Sequence, residues 1–576
     1  LQSFSVESTK ATLGGACNVA LNCKVLGAEQ VDLYGIVGSD IFAPTLFDLF
    51  DQSSLGREGV VTQENNWSTH VYHKVFEGSE EHPRYDSGNF NIPAKASIDA
   101  LFAHLEEKIS SYSVVIINEQ VPQGLHSEAF QKRLNACIAK HPDVLWIADC
   151  RSLNAVYKNT IHKLNDTEGA RLLGKKASAE ELYAFFGKPV VMTLGERGAE
   201  VSDGKDSVRL DGIAMRGRID TVGAGDAFLG GFAVSLARGA SLFDSARVGN
   251  LAAAVSVKTL YGCGNPTVEE ILALSESVEY RYNADIASDS RLATYYKETP
   301  IEIIDSVDGF PFPEVAIFDH DGTISVLREG WEPVMEQTMI SAITGERYSE
   351  LSLDEIEAIT AASREFISVT TGIQTIEQMY YLVEMVAEYG YVLEDKILSP
   401  EGYKELYNID LLKMVDKRVA EITAGRLKTR DVVMKGSVEF LHYLNKRGVT
   451  LYLASGTDQA DVIREATLLG YADLFAGRIL GSVGNVDADP KQVVIGEILA
   501  SLDVPSEKVA IFGDGPVEMR EGRKRGLLSV GILSDEVRRY GVNPAKRKRL
   551  IEGGSRILIP DFSYHAELLA LLGWEA

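Results

Sequence analysis

Short apolar runs recur along the chain, each bounded by polar or turn-forming residues. Val114-Val115-Ile116-Ile117, Val144-Leu145-Trp146-Ile147 and Val190-Val191-Met192-Thr193 read as strands buried in a parallel sheet. Amphipathic helical spacing lies between them, as from Ile98 to Lys108. The alternation predicts α/β layering over residues 1–276. Residues 277–312 are polar and weakly periodic and run into Gly309-Phe310-Pro311-Phe312-Pro313, the pattern of an inter-domain linker. Apolar runs resume at Val315-Ala316-Ile317-Phe318. They return at Thr450-Leu451-Tyr452-Leu453, Val509-Ala510-Ile511-Phe512 and Leu528-Ser529-Val530-Gly531, so residues 313–576 read as a second α/β domain. A strongly helical stretch at 328–428 separates the first two of these strands. A helical insert directly after a first strand predicts a cap over a site at the strand ends.

A length of 576 residues exceeds one ordinary core and fits two to four domains. Hydrophobic content of 45% and charged content of 24% are those of a globular protein. No run approaches the length of a membrane span, and no charged-then-apolar leader opens the chain, so the expectation is a cytoplasmic protein without a membrane partner. The five cysteines (Cys17, Cys23, Cys137, Cys150, Cys263) are scattered, without a CxxC pair, and read as reduced thiols. A net charge of −26 argues against nucleic acid and anionic membrane. It leaves small phosphorylated substrates open, since those are held by local amides, a few basic side chains and Mg²⁺. Lys546-Arg547-Lys548-Arg549 reads as a solvated helix face.

Two stretches carry candidate chemistry. In the first domain, Asp220-Thr221-Val222-Gly223-Ala224-Gly225-Asp226 precedes a helical run, Ala227-Phe228-Leu229-Gly230-Gly231-Phe232. Small residues let backbone N–H groups converge on an anion at a helix N-terminus. Asp226 then stands where a substrate hydroxyl would meet a transferable phosphate, and its carboxylate can take the proton. The plain alternative is a Gly-rich strand-to-helix turn. In the second domain, Asp319-His320-Asp321-Gly322-Thr323 ends the first strand. Two carboxylates two apart at a strand end can divide labour, one attacking phosphorus and the other handling the leaving-group proton.

Nearly all of 1–275 resembles the PfkB/ribokinase family of sugar kinases. Asp220 to Phe232 is similar to that family's C-terminal signature, and Leu13-Gly14-Gly15-Ala16-Cys17-Asn18 to its sugar-binding segment. Gly35-Ile36-Val37-Gly38-Ser39-Asp40 resembles the following strand and turn. Asn165-Asp166-Thr167-Glu168 resembles its Asn-x-x-Glu motif, and Thr193-Leu194-Gly195-Glu196-Arg197-Gly198 the loop against nucleotide. The resemblance implies a ribokinase-like α/β domain with a small β lid, Asp226 as base, and Gly223, Ala224 and Gly225 as anion hole. It implies ATP held by Asn165, Glu168, Thr193, Gly195, Gly198, Thr221 and Asn250, with Mg²⁺ and room for a monovalent cation. Sugar would be bound by Gly14, Gly15 and Asn18. Within the family the heptose 7-phosphate kinase branch is the best match. Thr69-His70-Val71-Tyr72-His73-Lys74 with Arg84-Tyr85-Asp86 is similar to its lid, and Asp149-Cys150-Arg151 stands at its Asp-Pro-Lys turn. Lys74, Arg84 and Arg151 would then hold a substrate phosphate; surface salt bridges are the alternative. Relatives pair through the lid, which makes a homodimer an expectation. The family pattern opens with a strand and an acidic sugar ligand ahead of Gly14. Only thirteen residues precede Gly14 in this sequence, so that part of the pattern is expected to be missing.

Residues 314–576 resemble the haloacid dehalogenase (HAD) superfamily, implying a Rossmann-like domain with a helical cap. By that resemblance Asp319 is a nucleophile that forms an aspartyl-phosphate and Asp321 the acid/base. Ser455 and Gly456 would bind phosphate, as would Lys491 after Asp489-Pro490. Asp319, Asp321 through its carbonyl, and Asp514 would bind Mg²⁺ with support from Glu518. His320 reads either as a packing substitution or as a group that tunes the site. Arg328, Glu329 and Trp331 are candidates for substrate contact, the alternative being helix start and core. Together the two resemblances imply a bifunctional kinase and phosphatase acting on sugar phosphates with ATP and Mg²⁺. The preferred pair is ATP-dependent phosphorylation of the anomeric hydroxyl of a heptose 7-phosphate and removal of the 7-phosphate. The alternatives are a hexose or nucleoside kinase with a housekeeping phosphatase, or one half that only regulates.

Overall fold

The computed structural model describes residues 5–77, 80–121, 123–215, 219–370, 375–483 and 490–574. They form two compact units, Leu1–Arg281 and Tyr282–Ala576.

The first unit is built on six strands: β1 (Val114–Glu119), β2 (Leu145–Cys150), β3 (Ile161–Asn165), β4 (Val190–Thr193), β5 (Ala199–Ser202) and β6 (Ser207–Leu210). Their order is β6-β5-β4-β3-β2-β1. Strands β1 to β4 are parallel, while β5 and β6 are added antiparallel. The three apolar runs seen in the sequence form β1, β2 and β4. Strand β3 shows no such run because His162 and Lys163 occupy its middle, and both are buried. Lys163 lies opposite Asp149 in the register and pairs with it, and His162 stacks on Phe186 with ring centroids 3.7 Å apart. The same register sets Thr193 beside Asn165 and Asn118 beside Asp149, so the carboxyl ends of β1 to β4 share one edge.

Helix α1 (Ala16–Val25) and helix α3 (Leu242–Ser256) both pack on α2 (Ala224–Ala237). Helix α2 is apolar on nearly all sides and buried from Ala227 to Ala233, as a helix between two others must be. Close approach depends on Gly230, where a Cβ would sit 2.6 Å from the Asn22 Cβ. A small lid pairs Val71–His73 with Tyr85–Ser87 and Phe76–Glu77 with Glu80–Glu81.

The second unit holds eight strands: β7 (Thr294–Tyr295), β8 (Glu302–Ile303), β9 (Val315–Asp319), β10 (Thr450–Asp458), β11 (Ile479–Ser482), β12 (Val509–Gly513), β13 (Leu528–Ile532) and β14 (Ile557–Ile559). Their order is β7-β8-β14-β13-β12-β9-β10-β11, parallel from β14 to β11 and antiparallel at β7 and β8. Four helices make the cap: α4 (Trp331–Thr344), α5 (Leu353–Thr370), α6 (Thr375–Tyr389) and α7 (Pro400–Thr423). They enclose an apolar core of their own that includes Met335, Met339, Ile343, Leu382 and Tyr407. Two extended segments join cap to sheet, with the Val326 N–H donating to Val432 O at 2.9 Å and the Met434 N–H to Ile324 O at 2.8 Å. Helices α8 (Gln459–Leu469), α9 (Pro490–Ser501), α10 (Pro516–Lys524) and α11 (Pro544–Gly553) complete the unit.

Two expectations are corrected. The span 277–312 is not a free linker: Tyr280–Arg281 pairs with Gly212–Ile213, and β7 and β8 extend the second sheet. Two-residue strands carry no periodic signal, and polar composition therefore looked like a connection. Nor is the basic run at 546–549 wholly solvated. Lys546 and Arg547 are buried, whereas Lys548 is exposed. The Arg547 Nε donates to both Glu302 carboxylate oxygens at 3.0 and 2.9 Å, and its Nη1 donates to Ile286 O at 2.9 Å. This one side chain fastens the 282–303 segment to α11.

Removing one partner of a buried ion pair leaves the other charge uncompensated, at about 3–5 kcal/mol. Arg547→Ala is therefore expected to lower the unfolding free energy of the second unit by about 3 kcal/mol, read as a lower urea midpoint. Lys548→Ala should stay within about 0.5 kcal/mol.

Candidate functional sites

In the first unit the shared carboxyl edge of β1 to β4 faces the N-terminus of α2. Gly223 caps that helix at φ 79°, a left-handed conformation suited to glycine. The first-turn N–H groups of a helix have no intrahelical acceptor and favour an anion. Here the Ala224 N–H donates to Thr221 O at 3.2 Å, which leaves Gly225 and Asp226 as the forward-facing amides of that turn. Asp226 accepts from the Asn18 Nδ2 at 2.8 Å. Asn18 is fully buried, and its Oδ1 in turn accepts from Asn265 at 2.9 Å. The Asn18 amide is thus spent on holding the carboxylate in place.

Lys163 pairs with Asp149 at 3.2 Å, and its Nζ lies 3.4 Å from where a Cβ on Gly225 would be. Burial raises the Asp226 carboxyl above the ordinary range, against the pull of Asn18, Lys163 and Arg151. Burial would lower the Lys163 ammonium, but Asp149, Glu168 and Asp226 outweigh it and keep it charged. Asn165 and Glu168 close a reciprocal capping box, each side chain accepting the other's backbone N–H at 2.8 Å. Arg151 is close enough to lower both Asp226 and Glu168.

In the second unit Asp319 ends β9 and is buried. The Lys491 Nζ from α9 lies 2.7 Å from its Oδ1 and also pairs with Glu518 on α10. The Thr323 hydroxyl lies 3.2 Å from Asp319 Oδ2 and 3.4 Å from Asp514 Oδ1, so these two carboxylates converge on one point. Lys546 donates to Asp514 at 2.7 Å. Asp514 lies against the turn after Asp321, where a Cβ on Gly322 (φ 74°) would meet its Oδ2 at 2.2 Å. Asp321 faces away from that point. It accepts from the Thr457 hydroxyl at 3.0 Å, with His320 Nδ1 at 3.3 Å and Arg328 Nε at 3.7 Å. Burial raises the Asp319 carboxyl, with Asp514 and Asp321 adding to it and Lys491 opposing. Burial would raise Asp321 as well, but His320, Arg328 and Thr457 overcome it and hold it low.

Residues 4–269 match the model of the pfkB family carbohydrate kinases, and residues 313–526 that of the haloacid dehalogenase-like hydrolases. The chain joins a pfkB family carbohydrate kinase domain to a haloacid dehalogenase-like hydrolase domain. The kinase half is 26% identical over 289 residues to the bifunctional protein HldE of Sulfurimonas denitrificans, covering 49% of this chain and 58% of that protein. It is 26% identical over 273 residues to the ribokinase of Lactococcus lactis, covering 45% of this chain and 86% of that one. The chain spans little more than half the length of the HldE proteins it matches. Among solved structures, ribokinase from Thermotoga maritima aligns with a TM-score of 0.39 at 19% identity, covering 48% of this chain and 92% of its own.

The kinase domain gathers Asn18, Arg151, Glu168 and Gly223 to Gly225 around Asp226. Thr193 and the Gly195 and Gly198 turn lie at the adjacent strand end, where the Thr193 hydroxyl donates to Leu164 O at 3.4 Å. Thr221 supplies the carbonyl of the turn before α2, and Gly14 and Gly15 lead into α1. Asn250 donates to Asp211 O at 2.9 Å. The lid residues proposed for phosphate are engaged in ion pairs, Lys74 with Glu81 and Arg84 with Asp86 at 2.6 Å. Lys74 also lies over the Phe76 ring, and Cys263 packs against Gly223. The residue that sequence reading missed is Lys163. A lysine inside a short strand, beside an acidic residue in the neighbouring strand, is the signal that marks it.

The hydrolase domain brings together Asp319, Lys491, Asp514 and Glu518, with Ser455 and Gly456 at the end of β10. Ser455 accepts from the Thr457 N–H at 3.0 Å, and Lys491 lies beneath Gly456. Asp489 falls outside the described residues. The oxygen-only donors of Asp319 and Asp514 fit a hard divalent cation. Glu518 is buried, and its ion pair with Lys491 sets its negative charge behind the lysine. Trp331 packs against the cap core, and Glu329 pairs with Arg418 at 2.9 Å.

Two outcomes follow from this geometry. A raised carboxyl in the folded state means that ionised Asp226 costs stability above its folded pKa and that the cost disappears as pH falls below it. Asp226→Asn should leave the kinase domain at least as stable as wild type at pH 7, with the difference vanishing near pH 4, as read by thermal melts. Gly322→Ala should cost about 1–2 kcal/mol in backbone conformation and displace Asp514. The Mg²⁺ concentration that half-shifts the thermal melt of the second unit should rise, with the melt of the first unit unchanged.

Proposed function

We propose that the chain is a bifunctional enzyme, an ATP-dependent sugar kinase and a Mg²⁺-dependent sugar-phosphate phosphatase. The observation that carries this reading is that each domain holds its own carboxylate, oriented by a defined donor and faced by a lysine: half-buried Asp226 with buried Lys163, and buried Asp319 with half-buried Lys491. In the kinase domain a substrate hydroxyl gives its proton to Asp226, its oxygen forms a bond to the γ-phosphorus of ATP, and ADP leaves. The Gly225 and Asp226 amides and Lys163 face the charge that spreads over the transferring phosphoryl oxygens.

In the hydrolase domain an Asp319 oxygen bonds to phosphorus and the phosphorus–sugar oxygen bond breaks, and Asp321, ionised beside His320 and Arg328 without substrate, must take up a proton on substrate binding to give it to the departing alkoxide. A water then attacks the aspartyl-phosphate and passes a proton to Asp321, and inorganic phosphate leaves with Asp319 restored. Mg²⁺ bound by Asp319, Asp514 and the Asp321 carbonyl would neutralise the phosphoryl oxygens as they approach these carboxylates. Lys491 keeps Asp319 from being an unpaired buried anion, and the cap excludes water.

A kinase that only reversed its fused phosphatase would waste ATP, so the two sites would act at different carbons or on different molecules. Likeness of the lid and of Asp149-Cys150-Arg151 to the heptose 7-phosphate kinase branch supports a specific pair. The kinase would phosphorylate the anomeric hydroxyl of a heptose 7-phosphate, and the phosphatase would remove the 7-phosphate to leave a heptose 1-phosphate.

With ATP and a heptose 7-phosphate, Asp226→Asn should reduce ADP release by about 10³-fold. Asp319→Asn should abolish phosphate release while ADP release continues. If either variant leaves both activities intact, the bifunctional assignment is wrong. An absence of ADP release with any heptose phosphate, alongside turnover of a hexose or nucleoside, would replace the heptose assignment.

A further inference from the structure

We propose that Arg328, on the hinge into the cap, is the positioning residue for Asp321 and acts through a buried pair with Glu465. The inference rests on the phosphatase reading above and names two residues that reading does not use. The Arg328 Nη2 donates to Glu465 Oε1 at 2.7 Å and lies 3.8 Å from Asp461 Oδ2, while its Nε lies 3.7 Å from Asp321 Oδ1. One planar guanidinium therefore bridges helix α8 and the catalytic loop. Glu465 is fully buried, and a carboxylate so placed persists only beside a cation. That requirement fixes the plane of the fork and with it the direction of Nε. Asp321 is bounded on its other sides by the Thr457 hydroxyl and by His320, whose Nε2 meets the buried Tyr471 hydroxyl at 2.7 Å.

The hinge adds a mechanical link. Arg418 on cap helix α7 donates to Leu327 O at 2.8 Å and to Glu329 O at 2.6 Å, the carbonyls on either side of Arg328. The backbone around Arg328 is thus held by the cap, and its side chain is held by the core. Rotation of the cap about this hinge must move the guanidinium, and the guanidinium faces the acid/base. Cap position and Asp321 orientation are coupled through this one residue.

Leaving-group dependence tests it. p-Nitrophenolate departs without a proton, whereas a sugar alkoxide needs one from Asp321. In single turnovers of the full chain, Arg328→Gln should slow sugar release from a sugar phosphate by about 10²-fold while p-nitrophenol release from p-nitrophenyl phosphate stays within about threefold. Arg328→Lys should recover part of the loss. Glu465→Gln, close in shape to the native residue, should show the same selectivity and serves if Arg328→Gln does not fold. An equal loss with both substrates, or an unchanged ratio, overturns the inference while the phosphatase reading stands. A wild-type chain inert toward both substrates overturns that reading and this inference with it.

Discussion

A lysine ammonium set among carboxylates, at the carboxyl edge of a parallel sheet, is the contact on which each domain's site depends. Lys163 answers Asp149, Glu168 and Asp226 in the kinase domain. Lys491 answers Asp319, Asp514 and Asp321 in the hydrolase domain. Carboxylates removed from water without such a partner would take up protons, and the proposed reactions need Asp226 ionised as base and Asp319 ionised as nucleophile. The lysine is what makes it possible to bury the carboxylate, and burial is what keeps water away from the phosphoryl group.

The same constraint explains how an acidic chain handles phosphate. A net charge of −26 sets the field far from the protein, but within a few ångströms the local cations and amides decide. The domains solve the problem in different ways. The kinase domain offers an N-terminal helix turn opened by Gly223, with the carboxylate beside it reserved for a proton. In the proposed reaction the hydrolase domain would present carboxylates toward phosphorus itself, with Lys491, Lys546 and a cation offsetting them. Burial makes these pairs costly to break from one side, and so their geometry is held tightly.

What could be read from the sequence follows from sequence distance. Strands such as Val315–Asp319 and Val509–Gly513 announce themselves because both faces are covered and no polar residue interrupts them. Asp319 was legible because it ends such a strand, and Asp226 because a Gly-rich turn introduces its helix. The pairing partners were not. Asn18 meets Asp226 across 208 residues and Arg547 meets Glu302 across 245, and nothing local marks either contact. Lys163 hid its own strand, since a buried charge inside a short run looks like solvent exposure until its cross-strand partner is known. The same confusion turned Lys546 and Arg547 into an apparent surface run.

Arg328 illustrates the same point at the hinge. From sequence it stands beside Glu329 and Trp331 at a helix start, where contact with substrate is the natural reading. The fold instead assigns the three side chains to different tasks. Trp331 goes to the cap core, Glu329 to Arg418, and Arg328 inward to Glu465 and Asp321. An arginine directed at substrate phosphate would leave Glu465 charged, buried and alone. That cost is the physical reason for placing Arg328 behind the acid/base, and specificity for the leaving group must then be sought on cap surfaces that carry no such buried obligation.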